Sequence, residues 1–233
     1  MKRSSEKEMM DLPGQPRELL TDDLRNLRII NRYLGCYRTV LRGLARLVNE
    51  QKLDRFTLLD VGTGSGDIPA VIDRWARRQQ IAAQISALER EASAVEEAVD
   101  QTRGSFGKIS IVRGDATAPP FGAGSFDFVL ASQLLHHFTD EQIIALLRAW
   151  ARLARRAIIV ADLVRHPVAY HGIRLLTYGL TRNTMTRTDA PRSVQRACTI
   201  SEWRELFCRA DVGTLRIQSV FPYRVLALIS LNN

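Results

Sequence analysis

The sequence predicts an α/β protein built on a doubly wound, mostly parallel sheet. Three observations carry that expectation. Apolar runs of strand length alternate with amphipathic stretches of helical length from about position 56 to position 161. A glycine-rich turn, Gly62-Thr63-Gly64-Ser65-Gly66, joins the first of those runs to a helix. Acids stand at or just past the carboxyl ends of successive runs, at Asp60, Glu89, Asp115 and Asp162, where open α/β sheets hold their ligands.

A chain of 233 residues suits one domain with a full α/β core. Cys36, Cys198 and Cys208 are odd in number and include no Cys-x-x-Cys pair, so neither a disulfide framework nor a metal site is expected. The first fifteen residues have no apolar signal-like stretch, and no run approaches the roughly 20 apolar residues that cross a bilayer. A cytoplasmic protein without a membrane contact is therefore expected. The net charge is +8 and arginine dominates it, with ten arginines against four acids from position 164 onward. Without basic runs or interleaved aromatics, this reads as a solvated arginine-rich surface more than as a nucleic-acid face.

Along the chain, residues 1–20 read as a flexible leader broken by Pro13-Gly14-Gln15-Pro16. Thr21 offers an N-cap to a helix striped by Leu24, Leu27, Ile30 and Leu34, and Gly35 stops it. A second helix carries Val40, Leu41, Leu44, Leu47 and Val48 on one face, with Tyr33 and Tyr37 at the joint between the two. A strand over 56–61, the glycine turn and a helix over 68–78 follow. The strand over 84–88 ends at Glu89, twenty-three residues beyond Gly66, the place where an acid accepts from ribose hydroxyls. A helix over 92–102 and a strand over 108–112 lead to Gly114-Asp115-Ala116. Pro119-Pro120-Phe121 precedes the next strand and is taken as a connecting turn. The strand over 126–131 runs into Ser132-Gln133-Leu134-Leu135-His136-His137-Phe138. Thr139 and Gln142 then form a capping box for a helix buried through Ile143, Ile144, Leu147, Trp150 and Ala151. A strand over 157–161 precedes an insert over 163–199, helical over 166–180. A helix over 202–210, capped by Thr199 or Ser201, and two strands over 214–220 and 223–230, joined around Pro222, end the chain.

The spacing of the glycine turn departs from the dinucleotide pattern, whose third glycine falls one residue later, and Asp60 before it would repel a pyrophosphate. Asp60-Val61-Gly62-Thr63-Gly64-Ser65-Gly66 resembles motif I of the class I S-adenosylmethionine (SAM) dependent methyltransferases. Ala87-Leu88-Glu89-Arg90 resembles their motif II, Gly114-Asp115-Ala116 their motif III, and Leu135-His136-His137 a segment common in the small-molecule members. The resemblance implies a seven-stranded sheet with its last strand antiparallel, a helical lid over 21–51, a SAM-binding core over 52–162, a substrate-covering insert over 163–199 and a terminal helix and hairpin over 200–233. It assigns SAM, and no metal, to Asp60, Gly62, Gly64, Gly66, Glu89, Arg90, Asp115, Ala116 and Ser132. For Asp115 the competing reading is an Asx-type turn without ligand.

His136 or His137 is the candidate base, the alternative for either being a structural hydrogen bond at the helix start. Tyr33, Tyr37, His171, Tyr178, Asp189, Ser193 and Arg196 are candidates for substrate contact, Arg196 toward a carboxylate or phenolate and Asp189 to orient a histidine. An Asp189–Arg196 brace of the lid, and tyrosines that merely pack it, stand beside those roles. The function expected is methyl transfer to a small-molecule acceptor, a hydroxyl or phenol oxygen of an aromatic or polyketide-like metabolite. An RNA methyltransferase and a non-catalytic SAM-binding module are the alternatives.

Overall fold

The central apolar runs carry aliphatic side chains on both faces, so as strands they must be covered on both sides. The computed structural model describes residues 1–105 and 108–231, and shows that arrangement. Positions 106, 107, 232 and 233, inside the core and terminal units expected above, lie outside the described residues. The strands are β1 (Arg55–Val61), β2 (Ala82–Glu89), β3 (Lys108–Arg113), β4 (Phe126–Ser132), β5 (Ala154–Leu163), β6 (Thr214–Val220) and β7 (Arg224–Ser230). They form one sheet in the order β3-β2-β1-β4-β5-β7-β6. Only β7 runs against its neighbours, inserted between β5 and β6 as expected.

The helices are α1 (Arg17–Tyr33), α2 (Cys36–Glu50), α3 (Asp67–Arg78), α4 (Ala92–Thr102), α5 (Asp140–Leu153), α6 (Pro167–Leu180), α7 (Thr184–Arg196) and α8 (Ile200–Ala210). Alternation along the strands divides the core in two. Leu59, Val61, Val129, Ala131, Ile158 and Val160 pack beneath α5 and α8, around Trp150 and Trp203. Leu58, Phe128, Leu130, Ile159 and Leu226 pack against α2 and α3 on the other face. Each such Val, Leu, Ile or Phe side chain contributes roughly 1.5–3 kcal/mol when fully buried. A one-residue slip would exchange the two sets, so the register is firmly held.

Several boundaries differ from expectation. α1 begins at Arg17, directly after Pro16, and not after Thr21. The reason is Leu20, which extends the apolar stripe and packs with Leu24 on Ala94 and Met185. Thr199, not Ser201, caps α8, in a capping box with Glu202. The polar stretch after α6 is itself a helix, α7, whose start is set by Asn183 accepting from the Thr186 N–H at 3.0 Å. Pro191 within it hides that helix from a reading by propensity.

The segment before α1 is not loose. Asp189 on α7 accepts from the Met9 and Met10 N–H groups at 2.8 and 3.0 Å. Arg192 and Arg196 donate to the carbonyls of Lys7 and Glu6 at 2.9 and 2.7 Å. The polar side chains that read as a solvated leader find partners on α7, and Glu8 is left only 2 % exposed. Together α1, α7 and this segment cover the carboxyl edge of the sheet.

Candidate active site and cofactor cleft

The sheet order reverses between β1 and β4, so the loops that follow these strands diverge and leave a cleft at their carboxyl ends. Its floor is the glycine turn. Gly62 has φ +69°, and a Cβ there would lie 2.7 Å from Leu134 Cδ1 on the loop after β4. Gly66 has φ +72° and would place a Cβ 3.1 Å from Ala98 of α4. Both positions therefore need glycine for conformation and for room. The cleft encloses about 890 Å³, within the roughly 300–1,000 Å³ of small-molecule sites.

At one end stand Leu88, Glu89, Arg90, Gly114, Asp115 and Ala116. The Glu89 carboxylate is held by backbone donors: Gly64 N–H to Oε2 at 2.8 Å, and Arg90 and Glu91 N–H to Oε1 at 2.8 and 3.0 Å. A carboxylate has about four lone-pair sites, so with three taken capacity remains for one hydroxyl donor. Asp115 forms the Asx-type turn, accepting from Thr117 N–H and Oγ1 at 2.7 and 2.8 Å, and these bonds hold its pKa below the usual value. It nonetheless borders the cleft through the same loop. Trp150, missed as a site residue, donates from its indole to the Ala116 carbonyl at 3.0 Å and fixes that loop from below.

Toward the middle, a smaller space of about 120 Å³ is bordered by Asp60, Thr63, Asp67, Ser132, Gln133 and both histidines. Asp60 Oδ2 and Thr63 Oγ1 are buried there without a hydrogen-bond partner among the described residues. Burial pushes the Asp60 carboxyl up to about 7 against the opposing pull of the Thr63 hydroxyl beside it, and the charges of Asp67 and Glu89 add to the rise. A buried carboxyl oxygen without a partner calls for a donor group, and an ammonium suits the ionised acid. Around it runs a polar chain that sequence reasoning missed. Arg224 donates to Gln133 at 3.0 Å, Gln133 to Asn31, and Asn31 to Asp67 at 3.1 Å. Ser132 lies beside it with Oγ 3.4 Å from Cys36 Sγ.

The two histidines occupy the loop after β4. His136 is buried, with Nδ1 2.7 Å from Asp162 Oδ1. Asp162 also accepts from Leu135 N–H at 3.0 Å and Leu163 N–H at 2.7 Å. Burial alone would raise its pKa; the imidazole and the backbone donors outweigh burial and hold it low. His136 Nε2 faces Glu8 Oε1 at 3.6 Å. His137 puts Nδ1 2.9 Å from Asp11 and Nε2 3.8 Å from Glu8. Glu8, pushed up to about 7 chiefly by burial, accepts from the Ser193 hydroxyl at 2.8 Å.

Arg196 donates to the carbonyls of His136 and His137 at 3.1 and 2.6 Å, so it clamps the histidine loop where a substrate anion was one expectation. Asp189 likewise spends both oxygens on Met9 and Met10 and orients no histidine. Asp189, Ser193 and Arg196 still border the two spaces, whereas Tyr33, Tyr37, His171 and Tyr178 border neither. Tyr33 and Tyr178 are 73 % and 57 % exposed, beneath Arg32 and Arg187 respectively, and His171 is exposed beside Tyr170. Tyr37 donates weakly to the Arg28 carbonyl at 3.4 Å and is half-buried, with burial raising its phenol pKa. The tyrosines at the joint pack or flank the lid, because the inner face of α1 is its leucine stripe.

Replacing Glu89 by alanine is expected to weaken SAM binding about tenfold or more, the cost of losing charge-assisted hydrogen bonds, with no change in the acceptor KM. Calorimetry on the folded variant checks this, and unchanged affinity would contradict the ribose assignment.

Residues 58–157 match the model of a family described as a methyltransferase domain. No curated protein matches the chain in sequence. Among solved structures it is similar to a SAM dependent methyltransferase from Aquifex aeolicus, with TM-score 0.63 and 14% identity over 91% of this chain and 98% of that one. It is similar to human N-acetylserotonin methyltransferase in complex with SAM, with TM-score 0.64 and 18% identity over 93% of this chain and 56% of that one. A magnesium protoporphyrin IX methyltransferase from Synechocystis with bound S-adenosylhomocysteine gives TM-score 0.59 and 18% identity, over 95% and 90% of the two chains. At these identities the likeness is one of fold. The residues fit the cofactor: a turn that must be glycine at Gly62 and Gly66, an acid with one buried oxygen left without a partner and suited to an ammonium, and a backbone-held carboxylate suited to a ribose. The chain thus carries a match to a methyltransferase domain over residues 58–157, set in a fold that it shares with SAM-dependent methyltransferases.

Proposed function

We propose that the protein is a SAM-dependent methyltransferase that methylates an oxygen of a small, largely apolar acceptor, a phenol or comparable hydroxyl of an aromatic or polyketide-like molecule. The observation that carries this reading is the buried pair of Asp162 and His136, 2.7 Å apart at the edge of the cleft. A carboxylate on Nδ1 sets the tautomer with its proton there, leaving the Nε2 lone pair to take a proton from an acceptor hydroxyl. Bound SAM would supply an electrophilic methyl group on its sulfonium. Glu89, Asp115 and the Ala116 N–H would hold the adenosine part, and Asp60 with Thr63 the ammonium. Gly62 and Gly64 leave the backbone open to both parts, Gly66 is packed against Ala98 and borders neither space, and Arg90 and Ser132 flank both parts.

The apolar side chains of Met10, Leu24, Leu27, Leu163 and Ala190 border the smaller space, which supports an apolar acceptor. Covering by α1, α7 and the segment before α1 would keep that space dry, so that much of the acceleration comes from holding acceptor and methyl in line. The acceptors named for two structural neighbours, N-acetylserotonin and magnesium protoporphyrin IX, are aromatic small molecules, which supports the class though not the individual. The positive charge does not favour RNA. Arg165, Arg192 and Arg216 pair with Glu202, Glu6 and Glu50, while Arg187, Arg196 and Arg224 are spent on backbone carbonyls. Among the described residues no helix is long and apolar enough to cross a membrane.

Methyl-labelled SAM incubated with a panel of phenols, carboxylic acids, amines and an RNA transcript tests the reading. Label is expected in an aryl methyl ether. Incorporation confined to RNA or to amines would overturn it.

A further inference from the structure

The histidine pair has a second feature that proton transfer does not use. Both imidazoles present Nδ1 to a carboxylate, His136 to Asp162 at 2.7 Å and His137 to Asp11 at 2.9 Å. Both then turn Nε2 toward the same third carboxylate, Glu8, at 3.6 and 3.8 Å. Donor atoms of Glu8, His136 and His137 all lie within 4.8 Å of one another. Glu8 Oε1 is buried without a hydrogen-bond partner, on a residue 2 % exposed. Histidines that hold a metal ion through Nε2 nearly always give Nδ1–H to a carboxylate or carbonyl, which fixes the ring and raises its basicity. Two neutral imidazoles and one carboxylate are a donor set for a borderline divalent cation, and three protein ligands leave a fourth position open.

Charge around the three donors points the same way. Glu8, Asp11, Asp162 and Asp189 supply four carboxylates. Against them stands the Arg196 guanidinium, 3.7 Å from Glu8 Oε1 and with its donors committed to the carbonyls of Glu6, His136 and His137. We propose that Glu8, His136 and His137 form a binding site for one divalent cation of the zinc type, with Asp162 and Asp11 as the acids that orient its two histidines. The ion would replace the weak 3.6 and 3.8 Å contacts by bonds and give Glu8 Oε1 its missing partner. A ring nitrogen cannot hold a cation and take a proton at once. Insofar as the methyl-transfer reading above holds, zinc occupancy and catalysis by His136 therefore exclude one another.

Equilibrium dialysis of the full chain against zinc chloride, with metal analysis, tests the site without any turnover. One ion per chain is expected, with affinity at least tenfold lower in Glu8→Gln and His137→Asn. Asp11→Asn, which keeps all three ligands, is expected to lose about 10-fold to 100-fold. Circular dichroism checks that each variant is folded, and the rim position of Asp11 keeps one variant available if Glu8→Gln is not. Cobalt chloride should give a visible ligand-field spectrum in the wild type that Glu8→Gln and His137→Asn lack. Absence of bound zinc, or zinc retained undiminished in the folded variants, would overturn the proposal. Bound zinc that leaves methyl transfer unaffected would support the site and count against His136 as base, so the two readings fail separately.

Discussion

Replacing His136 by alanine is expected to lower kcat for methyl transfer by roughly 10²–10⁴-fold, the usual range for a positioned acid or base, with SAM affinity little changed. The loss should depend on the acceptor. A phenol of ordinary pKa must give up its proton as the methyl arrives, whereas a nitrophenol already ionised at neutral pH needs no base. The deficit should therefore shrink as acceptor pKa falls, and a deficit equal for all acceptors would show that His136 only packs the loop. His137→Ala, whose ring is tied to Asp11 at the rim, should cost far less than His136→Ala. Asp162 acts through His136 and is a positioning residue. In Asp162→Ala the acceptor that keeps the proton on Nδ1 is gone, so the ring is no longer held in the tautomer that leaves the Nε2 lone pair free. The same dependence on acceptor pKa should appear in that variant, and a purely structural defect would not produce it.

What could be read from the residues divides along a physical line. Strands buried on both faces and helices with one apolar stripe announce themselves locally, so the α/β sheet and most of its helices were legible. The residues expected to hold the donor were equally easy to place along one cleft, because strand ends fall at set spacings from one turn, as Glu89 and Asp115 do from Gly62. The acceptor half was not. Glu8 and Asp11 reach the histidines from the other end of the chain, across 128 and 126 positions of sequence in their pairs with His136 and His137, and no local pattern marks that meeting. Asp162 was visible as an acid at a strand end, yet its partner was not, since the pairing depends on the register of β4 against β5. The exposed aromatics misled for the converse reason. Tyr33 and Tyr178 sit at positions that a lid would use, but which face of an amphipathic helix turns inward is decided by Leu24 and Ile30 packing on other elements.

The affinity for SAM is expected to fall as pH drops below 7, and Asp60 is the reason. In the free protein burial raises this carboxyl from its ordinary value of 3.8 to about 7, so at pH 6 most molecules carry it neutral. An α-ammonium, which stays protonated below roughly 7.7, favours the ionised form. Binding must then drive a proton off Asp60, and each pH unit below 7 should weaken SAM by up to about tenfold until the bound-state pKa is reached. The same shift has the opposite sign for the free fold. A carboxyl whose folded pKa lies above its unfolded value of ~3.9 contributes stability that is fully present below that value and lost as pH rises through 7. SAM should accordingly raise the melting temperature more at pH 7 than at pH 5.5. Glu8 and Asp23 are also pushed up to about 7 by burial, so the wild-type profile alone would not isolate Asp60. Asp60→Asn does: it should bind SAM weakly at pH 7 and lose the part of the pH dependence due to this site. Calorimetry in buffers of different ionisation enthalpy reads the proton directly. One released per SAM at pH 6 by the wild type, and none by Asp60→Asn, is the expected pair of results. Equal release by both would place the titrating group elsewhere and leave Asp60 without a role toward the ammonium.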